Sequence, residues 1–104
     1  VIVDDSVTIV ITSERTFFLR PDGQMYEFDT TLSVDDPSRV IDAVVANGKI
    51  YAVGYPGLMV SKDLGRTWSV HTVPKMMVFR TVAVTKKTIY VATDMGYLLS
   101  CPLP

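Results

Sequence analysis

Residues Ser61 to Trp68 read SKDLGRTW and join two strand-like runs, at about 57–62 and 67–73. The residue types and their spacing describe a hairpin turn that satisfies itself. Asp63 can accept hydrogen bonds from backbone N–H groups of the turn, as Asx-type caps do. Gly65 supplies a position where φ can be positive. Ser61 and Thr67 bring hydroxyls to the mouth of the hairpin, and Trp68 has a large apolar face with which to pin the turn onto a sheet.

Working outward, the flanking segments are short and rich in β-branched and aromatic residues. Examples are Val7 to Thr12, Lys49 to Val53 and Thr88 to Ala92. Turn signals punctuate them: Pro21-Asp22-Gly23, Asn47-Gly48, Pro56-Gly57, Asp63-Leu64-Gly65 and Asp94-Met95-Gly96. One segment, Pro37 to Ala46, carries a helix-like spacing of Val40-Ile41 and Val44-Val45. Asn47-Gly48 directly after it is a hairpin dipeptide, so the segment is predicted as strand. The fold class expected is all-β.

The chain also repeats itself. DAVVANGKIYAVGYPGLMVS (Asp42 to Ser61) aligns without a gap on TVAVTKKTIYVATDMGYLLS (Thr81 to Ser100), at an offset of 39. The amino-terminal part fits more loosely at an offset of 41, with Ile9 under Ile50 and Leu19 under Val60. Dropping one residue then sets RPDGQMY under SKDLGRTW. The expected organisation is one domain, 1–104, of three repeats at about 1–38, 39–77 and 78–104. The middle repeat is predicted to hold strands at about 40–46, 49–53, 57–62 and 67–73. In the third, Cys101-Pro102-Leu103-Pro104 replaces the turn and fourth strand.

Ser61, Asp63, Gly65, Thr67 and Trp68 occupy every position of Ser-x-Asp-x-Gly-x-Thr-Trp, so the stretch resembles the Asp-box, or BNR repeat. The resemblance is full in the middle repeat, reaches the missing box in the third, and is degenerate in the first. It implies that each repeat is a propeller-blade-like antiparallel meander, the box joining third to fourth strand. The competing architecture is a β-sandwich. The resemblance implies a structural role for the box and little about function, because sialidases, sorting receptors and photosystem assembly factors share it.

Composition narrows the function classes. Ten Lys and Arg against eleven Asp and Glu leave a net charge of −1, which gives no electrostatic case for nucleic acid or anionic membrane. No apolar stretch approaches the ~18 residues of a membrane span. Cys101 is the one cysteine and His71 the one histidine, so neither an intrachain disulfide nor a zinc set is expected. No cofactor is expected, since no glycine-rich phosphate cradle lies between a strand and a helix. Val1-Ile2-Val3-Asp4-Asp5 lacks the basic lead and long apolar stretch of a secretion signal; a processed start and an excised fragment both fit it.

The function expected is a non-catalytic interaction scaffold that binds a protein or a glycan. On a propeller the recognition face is built by loops between second and third strands, here Ser13 to Thr16, Gly54 to Gly57 and Thr93 to Gly96. Candidate binding residues are Arg15, Arg39, Tyr55, Arg80 and Asp94, with Arg39 and Arg80 at the starts of successive opening strands. The alternative is a sialidase-like glycosidase or a fragment of one, which needs an arginine cluster with paired carboxyl or phenolic groups. Glu14, Asp94 and Tyr55 are its candidates. FLRPD (Phe18 to Asp22) is only superficially similar to the Phe-Ile-Arg-Pro motif of sialidases. Met76-Met77-Val78-Phe79 is expected as a buried contact between repeats. Because three repeats cannot close a ring, the expected assembly is a homodimer completing six blades.

Overall fold

The computed structural model of the 104-residue chain describes residues 2–3, 6–12, 15–27, 39–55, 57–72 and 78–103. The described residues form no helix, and so none long and apolar enough to cross a membrane. The chain is all-β, built as three antiparallel sheets. The first holds β1 (Ile2–Val3), β2 (Thr8–Ile11), β3 (Thr16–Leu19) and β4 (Met25–Glu27). The second holds β5 (Arg39–Ala46), β6 (Lys49–Tyr55), β7 (Gly57–Ser61) and β8 (Ser69–Thr72). The third holds β9 (Phe79–Val84), β10 (Thr88–Thr93) and β11 (Leu98–Pro102). Within each sheet every strand pairs with its neighbour in sequence.

The segment with helix-like spacing is strand β5, and the turn after it shows why. Asn47 and Gly48 both hold positive φ, 55° and 72°, the pair of values a two-residue hairpin of primed type requires. That turn folds β6 back on β5 in register, Ala46 opposite Lys49 and Val44 opposite Tyr51.

The two central strands of the second sheet, β6 and β7, are buried on both faces, which explains why Ile50 to Val53 and Leu58 to Val60 run apolar instead of alternating. Ile50, Ala52 and Met59 point to one side and join Ile9 and Phe18 of the first sheet in one core cluster. Tyr51, Val53, Leu58 and Val60 point to the other and join Phe79, Val82, Ile89 and Val91 of the third. Each of the Val, Ile, Leu, Met and Phe side chains among them contributes roughly 1.5–3 kcal/mol by leaving water. One rule covers both seams: the forward face of a sheet packs on the rear face of the next.

Polar bonds tie the seams as well. Asp42 of β5 reaches into the third sheet, where its Oδ2 accepts from the Thr81 hydroxyl at 3.0 Å and the Val82 N–H at 3.1 Å. Both follow directly on Arg80, which a register shift in β9 leaves outside the ladder between Phe79 and Thr81; β5 shifts at the corresponding place, around Ile41. At the other seam the Arg20 guanidinium donates from Nη2 to the Asp63 carbonyl and lies over the Tyr26 ring, 4.9 Å from its centroid.

Register also corrects the sequence alignment in three places. Ile9 pairs with Ile2 and Phe18, as Tyr51 pairs with Val44 and Val60. The first two sheets therefore correspond at an offset of 42, one more than the sequence comparison suggests. Second, β11 is displaced by one: Tyr90 faces Ser100, whereas its counterpart Tyr51 faces Val60. The β10–β11 hairpin takes up one more residue before pairing begins, Ala92 facing Leu98 where Val53 faces Leu58. Because side chains alternate, that slip reverses every side chain of β11 relative to β7. Third, β11 runs on to Pro102, and the Leu103 N–H bonds the Lys87 carbonyl at 3.1 Å, so Cys101 and Pro102 belong to the sheet. In the middle repeat Thr67 and Trp68 belong to the turn, not the fourth strand. Phe79 is buried in the second seam, while Met76 and Met77 lie outside the described residues.

Candidate functional site

The β7–β8 hairpin is bonded to itself through its own side chains. Ser61, fully buried at the end of β7, donates its hydroxyl to Asp63 Oδ1 and accepts the Gly65 N–H, both at 2.8 Å. Asp63 Oδ1 also accepts the Thr67 N–H at 2.8 Å, and Oδ2 accepts the Thr67 hydroxyl at 2.5 Å. Leu64 and Gly65 carry positive φ, 58° and 99°, and reverse the chain between them. The Trp68 indole N–H closes the loop on the Gly65 carbonyl at 3.2 Å.

These donors decide the charge of Asp63. Burial pushes the carboxyl up, but the Thr67 hydroxyl, the Thr67 N–H and the Ser61 hydroxyl outweigh it and hold the group at about 2. A carboxylate so stabilised, with both oxygens occupied by its own turn, is poorly placed to exchange a proton with a substrate. Trp68 spans the seam instead of lying on its own sheet. Its ring meets Phe18 of the first sheet at 5.0 Å between centroids, tilted by 50°.

The candidate binding residues lie at the opposite end of the meanders, around the β2–β3, β6–β7 and β10–β11 hairpins. Arg15 is exposed and reaches Glu27 of β4, Nε to Oε1 3.5 Å, while its backbone is tied to Thr12. Arg39 and Tyr55 sit opposite each other in the β5–β6 ladder. Asp94 stands in the β10–β11 turn and fastens the approach to β9: its Oδ1 accepts the Val78 N–H at 3.2 Å and its N–H donates to the Val78 carbonyl at 3.0 Å. Arg80 is exposed at the register shift of β9. Arg39 and Arg80 are not at equivalent ladder positions, since Arg80 matches Ile41. Glu14, Ser13 and Pro56 lie outside the described residues.

Sequence reasoning missed three groups. Arg20 and Asp42 tie neighbouring sheets together, and nothing in their local sequence announces a partner in another repeat. The third is a cleft of about 250 Å³ between the second and third sheets, lined by Leu58, His71, Phe79, Leu99, Ser100 and Cys101. It brings the one histidine and the one cysteine to the same cleft. Their positions in adjacent repeats gave no sign of it. Among the described residues no group of three or more His, Cys, Asp or Glu side chains is placed to hold a metal ion. No family model matches the chain, and no significant match was found among curated proteins or among solved structures.

Proposed function

We propose that the three sheets are blades of an Asp-box propeller and that the chain is a non-catalytic scaffold, binding a protein or a glycan at the hairpin end that carries Arg15, Arg39, Tyr55, Arg80 and Asp94. The observation that carries this reading is the Asp63 hairpin. Its five motif residues spend their polar atoms on one another and on the turn, and its aromatic on the neighbouring sheet. The repeated forward-on-rear stacking supports the blade reading, and Arg15, Arg80 and Asp94, exposed at the other end, lie on hairpins held by rigid elements.

The sialidase-like alternative needs free arginines and a carboxyl pair converging on one funnel. Arg20, the arginine of FLRPD, is engaged with the Asp63 carbonyl and Tyr26, and Asp94 with the Val78 backbone. The test pairs a fluorogenic sialoside assay with binding to a panel of immobilised sialylated and neutral glycans. Retention of a glycan without turnover, weakened by Tyr55→Ala and Arg80→Ala, is the expected result. Turnover that disappears in Arg80→Ala overturns the scaffold reading.

A further inference from the structure

Two sheet faces are left over by the stacking rule. The forward face of the first sheet covers the rear of the second, and the forward face of the second covers the rear of the third. The rear face of the first sheet and the forward face of the third have no sheet against them in the described chain. By the register, Val10, Phe17, Leu19 and Met25 share the first of these faces. Ala83, Tyr90, Ala92 and Leu98 share the second.

Exposure concentrates on the same two faces. Among the described residues the exposed large apolar side chains include Leu19 at 37% and Met25 at 58% on one, and Tyr90 at 38% and Leu98 at 72% on the other. Of the remaining three, Met95 and Tyr97 lie in the β10–β11 turn, and Leu99, opposite Val91, is on the rear face of the third sheet where it lines the cleft with the second. The one-residue slip of β11 adds to this: it turns Leu98 outward, whereas its counterpart by sequence, Met59, is fully buried on a rear face. Tyr90 likewise stands where Tyr51 stands in the second sheet, and Tyr51 is almost completely covered by the sheet that follows. The chain thus shows twice what covers a face of this kind: the rear face of another such sheet.

The geometry points to a second copy of this chain as the occupant, docked head to tail, so that the forward face of the third sheet in each copy covers the rear face of the first sheet in the other. The contact continues both internal seams. It pairs two different faces, so it is heterologous, and two copies use up all four leftover faces when the ring closes. This docking depends on the stacking rule alone, whatever the hairpin end binds.

The test uses two double variants of the 104-residue chain, each altered only at exposed positions: Leu19→Lys with Met25→Lys, and Tyr90→Lys with Leu98→Lys. Size exclusion with light scattering should give twice the monomer mass for the unaltered chain and the monomer mass for each variant alone. An equimolar mixture of the variants should recover a one-to-one pair, because one intact face of each kind remains. Far-UV circular dichroism verifies that each variant keeps its sheets, and Leu19→Lys and Leu98→Lys alone replace any double variant that does not. A monomeric unaltered chain overturns the docking. So does a homodimer that survives in either variant, which marks like-on-like pairing, or a mixture that stays monomeric.

Discussion

Gly65 lies flat against Phe18 across the seam between the first and second sheets. A Cβ added to Gly65 would meet the Phe18 Cβ and Cγ at 2.8 Å, closer than carbon atoms pack. The box therefore needs its glycine for two reasons, the positive φ of 99° and the ring beneath it.

Gly65→Ala should cost about 2–5 kcal/mol, the sum of a strained backbone and an overpacked contact. Chemical denaturation measures it. A second variant, Gly65→Ala with Phe18→Leu, separates the terms: relief by the smaller side chain is expected, and no relief at all would leave backbone strain as the whole cause.

Phe18 and Trp68 should be coupled. Phe18→Ala should cost about 3–5 kcal/mol because the ring is fully buried. The double-mutant cycle with Trp68→Ala should return a coupling of about 0.5–1.5 kcal/mol for the tilted ring pair. Additive losses would mean that Trp68 stabilises its own turn only.

Asp63 should make stability depend on acid. Its folded-state value, about 2, lies below the ordinary 3.8, so the ionised form favours the folded state. The contribution is fully present above about pH 4 and is lost as pH falls through about 2. Asp63→Ala should cost about 1–3 kcal/mol at neutral pH. The gap between the variant and the unaltered chain should narrow in urea titrations run downward from pH 4. A gap that stays constant to pH 2 would contradict the assigned ionisation.

Asp42 should matter to the third sheet more than to the second. Asp42→Ala removes the acceptor of the Thr81 hydroxyl and the Val82 N–H and should cost about 1–3 kcal/mol. Amide exchange is the sharper measurement, with faster exchange expected at Val82. Unchanged exchange there would show that the bond is not maintained in solution.

Much of this architecture is legible in the residues. Asn47-Gly48 announces the β5–β6 hairpin, and the strands predicted at 40–46, 49–53 and 57–62 appear as Arg39–Ala46, Lys49–Tyr55 and Gly57–Ser61. The hydrogen bonds inside the Asp63 turn follow from local chemistry, so spacing suffices to read them. What spacing cannot supply is anything set by contact between repeats. Matching Ile9 to Ile50 by identity is off by one, because Ile9 takes the role of Tyr51 in covering the next sheet. The slip of β11 depends on how many residues its hairpin absorbs before pairing, and Gly96 aligned with Gly57 conceals that. Leu64 at positive φ is invisible for the opposite reason: leucine carries no preference for that conformation, and the turn imposes it.

Trp68 is the only tryptophan of the chain, and its ring rests on Phe18 of the first sheet. Its fluorescence is therefore a reporter of one seam and not of the molecule. Circular dichroism averages over all three sheets. If the emission changes at a lower urea concentration than the dichroism, the first sheet has peeled from the second while the remainder stays paired. Coincident curves would make the stack one cooperative unit.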